Sequence, residues 1–194
     1  MKRQLVLMLL LILISSTAYS QKDEFKVIDK CKIEPIVNVC SEKMANDIYS
    51  KAIDWINLTY LNPDDVIKGK VENDFIRFTG MKKEFHIKKI GHKGSPIGEH
   101  ILFVFDLSYV MRIDFKDGKY RLSLESYKII DKESGNVLTL ESFVKNGNVE
   151  DDYYGYGVLN YYSFKEKLPL VINELNSSLY NYIIGKTEKQ KDDW

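Results

Sequence analysis

Residues 105–124 read FDLSYVMRIDFKDGKYRLSL, and this stretch decides the fold. Phe105, Leu107, Tyr109, Met111, Ile113 and Phe115 alternate with Asp106, Ser108, Val110, Arg112 and Asp114. A period of two puts the apolar set on one face of a β-strand and the mostly polar set on the other. Asp117-Gly118 follows as a two-residue turn, and type I′ geometry is expected there, a turn whose two central residues both take positive φ. The returning strand runs from Lys119 to about Ile130, with Tyr120, Leu122 and Leu124 on one face and Arg121, Ser123 and Glu125 on the other. Such a hairpin needs a cover for its apolar side.

Two amphipathic helices can supply it. From Glu42 onward Met44, Ile48, Ala52, Trp55, Ile56 and Thr59 recur at helical period, with Lys43, Asp47, Lys51 and Asp54 elsewhere. Ser41 stands as N-cap, and Asn62-Pro63 as stop. Near the other end Leu168, Val171, Ile172, Leu175, Leu179, Tyr182 and Ile183 make a second stripe, closed by Gly185. Ser163 and Glu166 resemble a capping box, yet Pro169 would then remove a helical hydrogen bond, so the start of this helix stays open. Residues 33–40 read as a first strand, at an edge because of Pro35. Residues 66–71 and 75–79 read as a hairpin through Glu72-Asn73-Asp74, and residues 131–160 as a decorated connection with a strand over 137–144. The expected architecture is α+β: a curled antiparallel sheet of about five or more strands with two helices on one face, in the order β-α-β-β-β-β-α.

Ahead of this domain Lys2 and Arg3 precede an apolar run from Leu5 to Ile14, then small and polar residues through Ser20. That is the pattern of a secretory signal peptide. A transmembrane helix needs about 20 apolar residues, and this run ends too early. The expected division is a signal peptide at 1–20, a lead-in at 21–32, a single domain at 33–185 and a polar tail at 186–194. The product is expected in the periplasm or outside the cell, soluble after cleavage, with no transmembrane segment. Export makes a disulfide between Cys31 and Cys40 feasible. If the residues between them form one straight strand the two lie about 30 Å apart, so a bridge requires a turn, which Pro35 could help make. Two independent small hydrophobes is the other reading.

The 194 residues carry 28 basic and 28 acidic side chains, so no overall charge draws the chain to nucleic acid or an anionic membrane. The balance is an average. Lys82, Lys83, Lys88, Lys89 and Lys93 lie within residues 81–93 against Glu84 alone. They suit an anionic glycan, phosphate or headgroup, or an edge strand on which lysine prevents sheet-to-sheet pairing. Tyr153, Tyr154, Tyr156, Tyr161 and Tyr162 form a second candidate surface, since tyrosine joins an apolar ring to a polar tip. The alternative is that these rings pack over the last helix.

The helix containing Tyr49, Ala52, Trp55 and Ile56, the strand Val66-Ile67-Lys68-Gly69-Lys70 and the hairpin Asp117-Gly118-Lys119-Tyr120-Arg121 together resemble a family of secreted bacterial domains of unknown function with a TATA-box-binding-protein-like fold. The likeness spans about residues 33–130. It implies a fold and an exported location, and brings no activity, cofactor or ligand with it.

Catalytic signatures are weak. His86, His92 and His100 match no metal-ligand spacing and read as exposed loop residues; the acidic pairs Asp64-Asp65, Asp151-Asp152 and Asp192-Asp193 read as solvated turns. No nucleophile elbow, phosphate loop or dinucleotide fingerprint occurs. The expected function is an exported, non-catalytic binding module with no metal or cofactor, whose partner is a protein or an envelope glycan and not nucleic acid. The alternatives are a hydrolase acting on envelope glycans and a structural component of an envelope assembly.

Overall fold

The alternating stretch forms the middle of the molecule. In a computed structural model, which describes residues 24–28, 32–91, 100–145, 148–149 and 156–186, it lies within strand His100–Lys116 and is followed by strand Lys119–Asp131. In chain order the elements are β1 (Val27–Ile28), β2 (Lys32–Ile33), β3 (Ile36–Val39), α1 (Ala45–Thr59), α2 (Pro63–Val66), β4 (Ile67–Val71), β5 (Phe75–Gly91), β6 (His100–Lys116), β7 (Lys119–Asp131), β8 (Val137–Leu138), a 3-10 turn (Glu141–Phe143), β9 (Val144–Lys145), β10 (Asn148–Val149) and α3 (Tyr156–Ile184). The main sheet is antiparallel, in the order β3-β7-β6-β5-β4, with β8 beside β7. The α+β class and its element order are those read from the sequence.

Both helices lie on one face. Ile48, Ala52, Trp55 and Ile56 of α1 and Phe164, Leu168, Ile172, Leu179 and Ile183 of α3 are buried, as are Leu107, Tyr109, Met111, Ile113 and Phe115 of β6. Trp55 Nε1 donates to Ser178 Oγ at 3.0 Å, joining the helices to each other. Inside the layer Asn38 and Asn176 exchange amide hydrogen bonds at 2.9 and 3.1 Å, and the Tyr120 hydroxyl adds a third to Asn176 Oδ1 at 3.0 Å. This network ties β3, β7 and α3 together, and because its members satisfy each other it avoids the cost of a buried unpaired amide. Gly80 faces Tyr109 across β5 and β6, and a Cβ there would overlap the tyrosine ring.

Several boundaries differ from expectation. Helix α1 starts at Ala45 with Met44 as N-cap, and the N-cap has no side-chain bond. Asp117 Oδ1 accepts the Ala45 N–H instead, at 2.8 Å, so the hairpin turn does the work expected of Ser41. That turn is not type I′: Gly118 has φ 75° but Asp117 is absent from the residues with positive φ. Hydrogen bonds from Cys40 N–H to the Gly118 carbonyl and from Gly118 N–H to the Lys43 carbonyl dock it against the start of α1 and select its geometry. Pro63 does not merely stop a helix but opens the four-residue α2, at the first-turn position where its missing N–H costs nothing.

The expected alternation of β7 also changes phase. Glu125 is an extra residue opposite the Val110–Met111 junction, so Tyr120 and Leu122 point inward before it and Tyr127 and Ile129 after it. The expected strand over 137–144 is only β8 followed by a 3-10 turn. Helix α3 begins at Tyr156 and contains Pro169, so Ser163 and Glu166 are mid-helix rather than a capping box. Its end follows expectation: Gly185 takes φ 75°, and the Gly185 and Lys186 N–H groups bond the Tyr182 and Asn181 carbonyls as a Schellman motif. Phe25, in the stretch expected as a lead-in, is 2% exposed, and its N–H donates to Asn173 Oδ1 at 2.7 Å.

Candidate functional site

The two long helices pack on one face of the sheet, and among the described residues no helix covers the other. The residues that alternate outward from β5, β6 and β7 are therefore brought side by side by register, not by sequence. Arg77 lies directly across from Arg112, and Asp114 across from Arg121. Like charges placed opposite each other repel, and each arginine has its own carboxylate to offset this. Glu125 receives Arg77 through both oxygens, at 2.7 and 3.1 Å. Asp114 receives Arg112 Nε at 2.6 Å on one oxygen and Arg121 Nε and a terminal nitrogen at 3.1 and 2.9 Å on the other. Burial of Asp114 pushes its pKa up, but the hydrogen bonds and charges of Arg112 and Arg121 outweigh that and hold the carboxyl below its usual range. Arg112 also lies 4.1 Å from the centre of the Phe75 ring.

Toward the turn end of this face is a depression of about 230 Å³ lined by Val37, Asp114, Lys116, Lys119, Tyr120 and Arg121. Cations outnumber carboxylates in its lining. The Arg77, Arg112 and Arg121 side chains are a third to a half exposed, while their carboxylate partners are less so. The face therefore presents guanidinium groups whose orientation is already fixed, an arrangement suited to a planar or tetrahedral anion.

The expected candidates are distributed differently. Tyr161 is 3% exposed and thus part of the core, whereas Tyr162 is 54% exposed. Tyr156 opens α3, and Tyr153 and Tyr154 lie outside the described residues. Tyr156, Tyr161 and Tyr162 thus do not lie over the last helix but belong to its first turns. Lys82 and Lys83 are exposed on β5, and Lys82 approaches Glu174 of α3 at 3.6 Å. Strand β4 covers only the first residues of β5, so from Thr79 onward the outer side of β5 has no strand partner among the described residues. Lys88 and Lys89 pair with Phe103 and Leu102 in the β5–β6 ladder; Lys93 lies outside the described residues.

Cys40 is a buried free thiol, and Cys31, its partner in the expected bridge, lies outside the described residues, as does the expected signal peptide. Burial, partly countered by Lys43, pushes the Cys40 pKa up to about 11, so at neutral pH it is a protonated, unreactive thiol.

His86 corrects the reading of the histidines as exposed loop residues. Across a bulge between Lys82 and His86, with Glu84 at φ 52° and its N–H held by Asp106 Oδ1 at 2.7 Å, β5 gains two residues on β6, so His86 keeps the inward phase of Ile76 and Phe78, at 9% exposure. It stacks on Phe105 and meets the edge of Phe164. Ser163 Oγ lies 3.3 Å from Nε2 and Lys167 Nζ 2.8 Å from Nδ1. Sequence reasoning missed this cluster because α3 was not expected to reach back to Ser163 as a helix interior. It has the composition of a catalytic group but the wrong polarity. With Lys167 Nζ as the donor to Nδ1, a neutral imidazole would carry its proton on Nε2, facing the serine. A general base must instead present a lone pair there. His100 is likewise in a strand, β6, and His92 lies outside the described residues. Asp64 and Asp65 are exposed in α2, and the other two acidic pairs lie outside the described residues. Among the described residues no three His, Cys, Asp or Glu side chains are grouped to hold a metal ion, and no helix is long and apolar enough to cross a membrane.

No family model and no curated protein matches the chain. Among solved structures it is similar to a DUF4468 family protein from Bacteroides ovatus, with a TM-score of 0.57 and 13% identity over 78% of this chain and 86% of that one. It is also similar to a TBP-like protein from Parabacteroides distasonis, with a TM-score of 0.56 and 10% identity over 77% of this chain and 90% of that one. At such identity the likeness shows the fold. The fold is TBP-like, shared with bacterial domains of unknown function, as the resemblance carried by residues 33–130 implies.

Proposed function

We propose that this chain is an exported binding module that performs no catalysis and meets its partner, a protein or an envelope glycan, through the helix-free face of its sheet. The observation that carries the reading is that face itself: Arg77, Arg112 and Arg121 are fixed by Glu125 and Asp114, remain accessible, and lie where no helix among the described residues covers them. A structural component would not need side chains held in this way on a bare surface. The hydrolase reading has against it the polarity of the Ser163, His86 and Lys167 cluster. Export is supported by the pattern of residues 1–20 and is tested by fractionating cells and sequencing the amino terminus of the product, which is expected to begin at Gln21.

The binding surface is tested by capture from envelope fractions with the mature chain. Arg77→Gln combined with Arg121→Gln is expected to lose the partner while keeping its melting temperature within a few degrees. Tyr153, Tyr154 and Tyr156 changed to alanine are expected to keep it. Retention by the arginine variant together with loss by the tyrosine variant would move the site to the amino-terminal end of α3.

A further inference from the structure

The β6–β7 hairpin closes with Lys116 directly across from Lys119. Like charges at opposed positions destabilise a strand pair, and neither lysine has an acidic partner among the described residues. Two residues beyond Lys119, on the same face, stands Arg121. It directs Nε and one terminal nitrogen to Asp114, which leaves its remaining N–H groups without a partner among the described residues. Asp114, the carboxylate of this lining, is already shared by two arginines. All of these groups border one depression, walled on one side by Val37 of β3. Its cations exceed what its own carboxylate can neutralise, and they border it from two strands whose connecting turn the Cys40, Lys43 and Ala45 backbone holds in place. One oriented guanidinium, that of Arg121, beside two cations without a counter-charge suits the binding of an oxyanion.

We propose that this depression is a site for a single oxyanion, a phosphate, sulfate or carboxylate group, bound by Lys116, Lys119 and Arg121. The proposal deepens the binding-module reading by naming the chemistry of the ligand, and rests on that reading only for the claim that the group belongs to a larger partner. Charge recognition at this one spot is compatible with a neutral chain, because the excess is local and is set by strand register.

The site is tested by recording amide spectra of the mature chain during titration with inorganic phosphate, inorganic sulfate and acetate, with ionic strength held constant by sodium chloride. Saturable shifts confined to Val37 and residues 114–121 are expected with at least one of these anions. Lys116→Gln combined with Lys119→Gln is expected to weaken binding by about tenfold or more, and because it removes a repulsion it should not lower the melting temperature. A sulfated polysaccharide compared with inorganic sulfate separates a polymer-borne group from a free ion: tighter binding of the polymer, lost in the same variant, assigns the group to a glycan. Shifts that do not saturate, or that the double variant leaves unchanged, would overturn the oxyanion site. That result would leave the helix-free face intact as a partner surface if the Arg77 and Arg121 variant still loses its partner. Saturable binding with partner capture unaffected by that variant would keep the oxyanion site and remove the wider reading.

Discussion

Asp114 accepts hydrogen bonds from two arginines, and its ionisation is therefore coupled to folding. Its pKa in the folded chain is below the ordinary 3.8, so the stabilisation is fully present above that value and is lost as the pH falls through it toward the folded pKa. Thermal unfolding followed from pH 6 to about pH 2 is expected to show this loss, and Asp114→Asn to remove that part of the slope while lowering stability at pH 6. A variant with the wild-type acid slope would show that the two arginines do not act on this carboxyl. The buried amide pair makes a different prediction. Asn176→Leu strands the Asn38 amide and the Tyr120 hydroxyl, and is expected to cost about 1–3 kcal/mol in urea unfolding. Asn38→Leu with Asn176→Leu removes both partners and should cost less than the sum of the single variants; strict additivity would contradict the network. Neither residue could be singled out in the sequence, because Asn176 sits within the last helical stripe and Asn38 within a strand, and only the fold joins positions 138 residues apart.

Among the elements, legibility followed the range of the interactions that set each boundary. The β6 alternation, the α1 stripe and the Gly185 stop are local patterns, and each could be read directly. The start of α1 is not local: its first N–H is satisfied by Asp117, 72 residues away. Asp117→Ala is accordingly expected to destabilise the chain by about 0.5–2 kcal/mol, and Ser41→Ala to have little effect. The reverse order of effects would restore Ser41 as the cap. Pro169 hid the true start of α3, since a proline inside a helix is disfavoured by its own geometry, and the buried Tyr161, Phe164 and Leu168 before it and Ile172 after it compensate. The two bulges escaped notice for a similar reason. An insertion shows only relative to the partner strand, one residue at Glu125, which changes the phase, and two around Glu84, which do not, so both glutamates look ordinary until the ladder is known.

At the scale of the molecule, the sequence described a hairpin with one dry and one wet face, and the wet face was read only as solvated. Its significance comes from three strands at once. Arg77, Arg112 and Arg121 are unremarkable singly, and become one surface because antiparallel register aligns them and both helices choose the opposite side. The tyrosine and lysine clusters are the converse case: their crowding in sequence drew attention, while the fold sends Tyr161 to the core and Lys82 toward Glu174. The helix-free face is tested most directly by photo-crosslinking in cells, with the reactive group placed at Ser123 on that face or at Asp54 on the outer side of α1. A partner adduct from Ser123 and none from Asp54 is the expected result. An adduct from Asp54 alone would contradict the assignment of the binding surface to the bare side of the sheet.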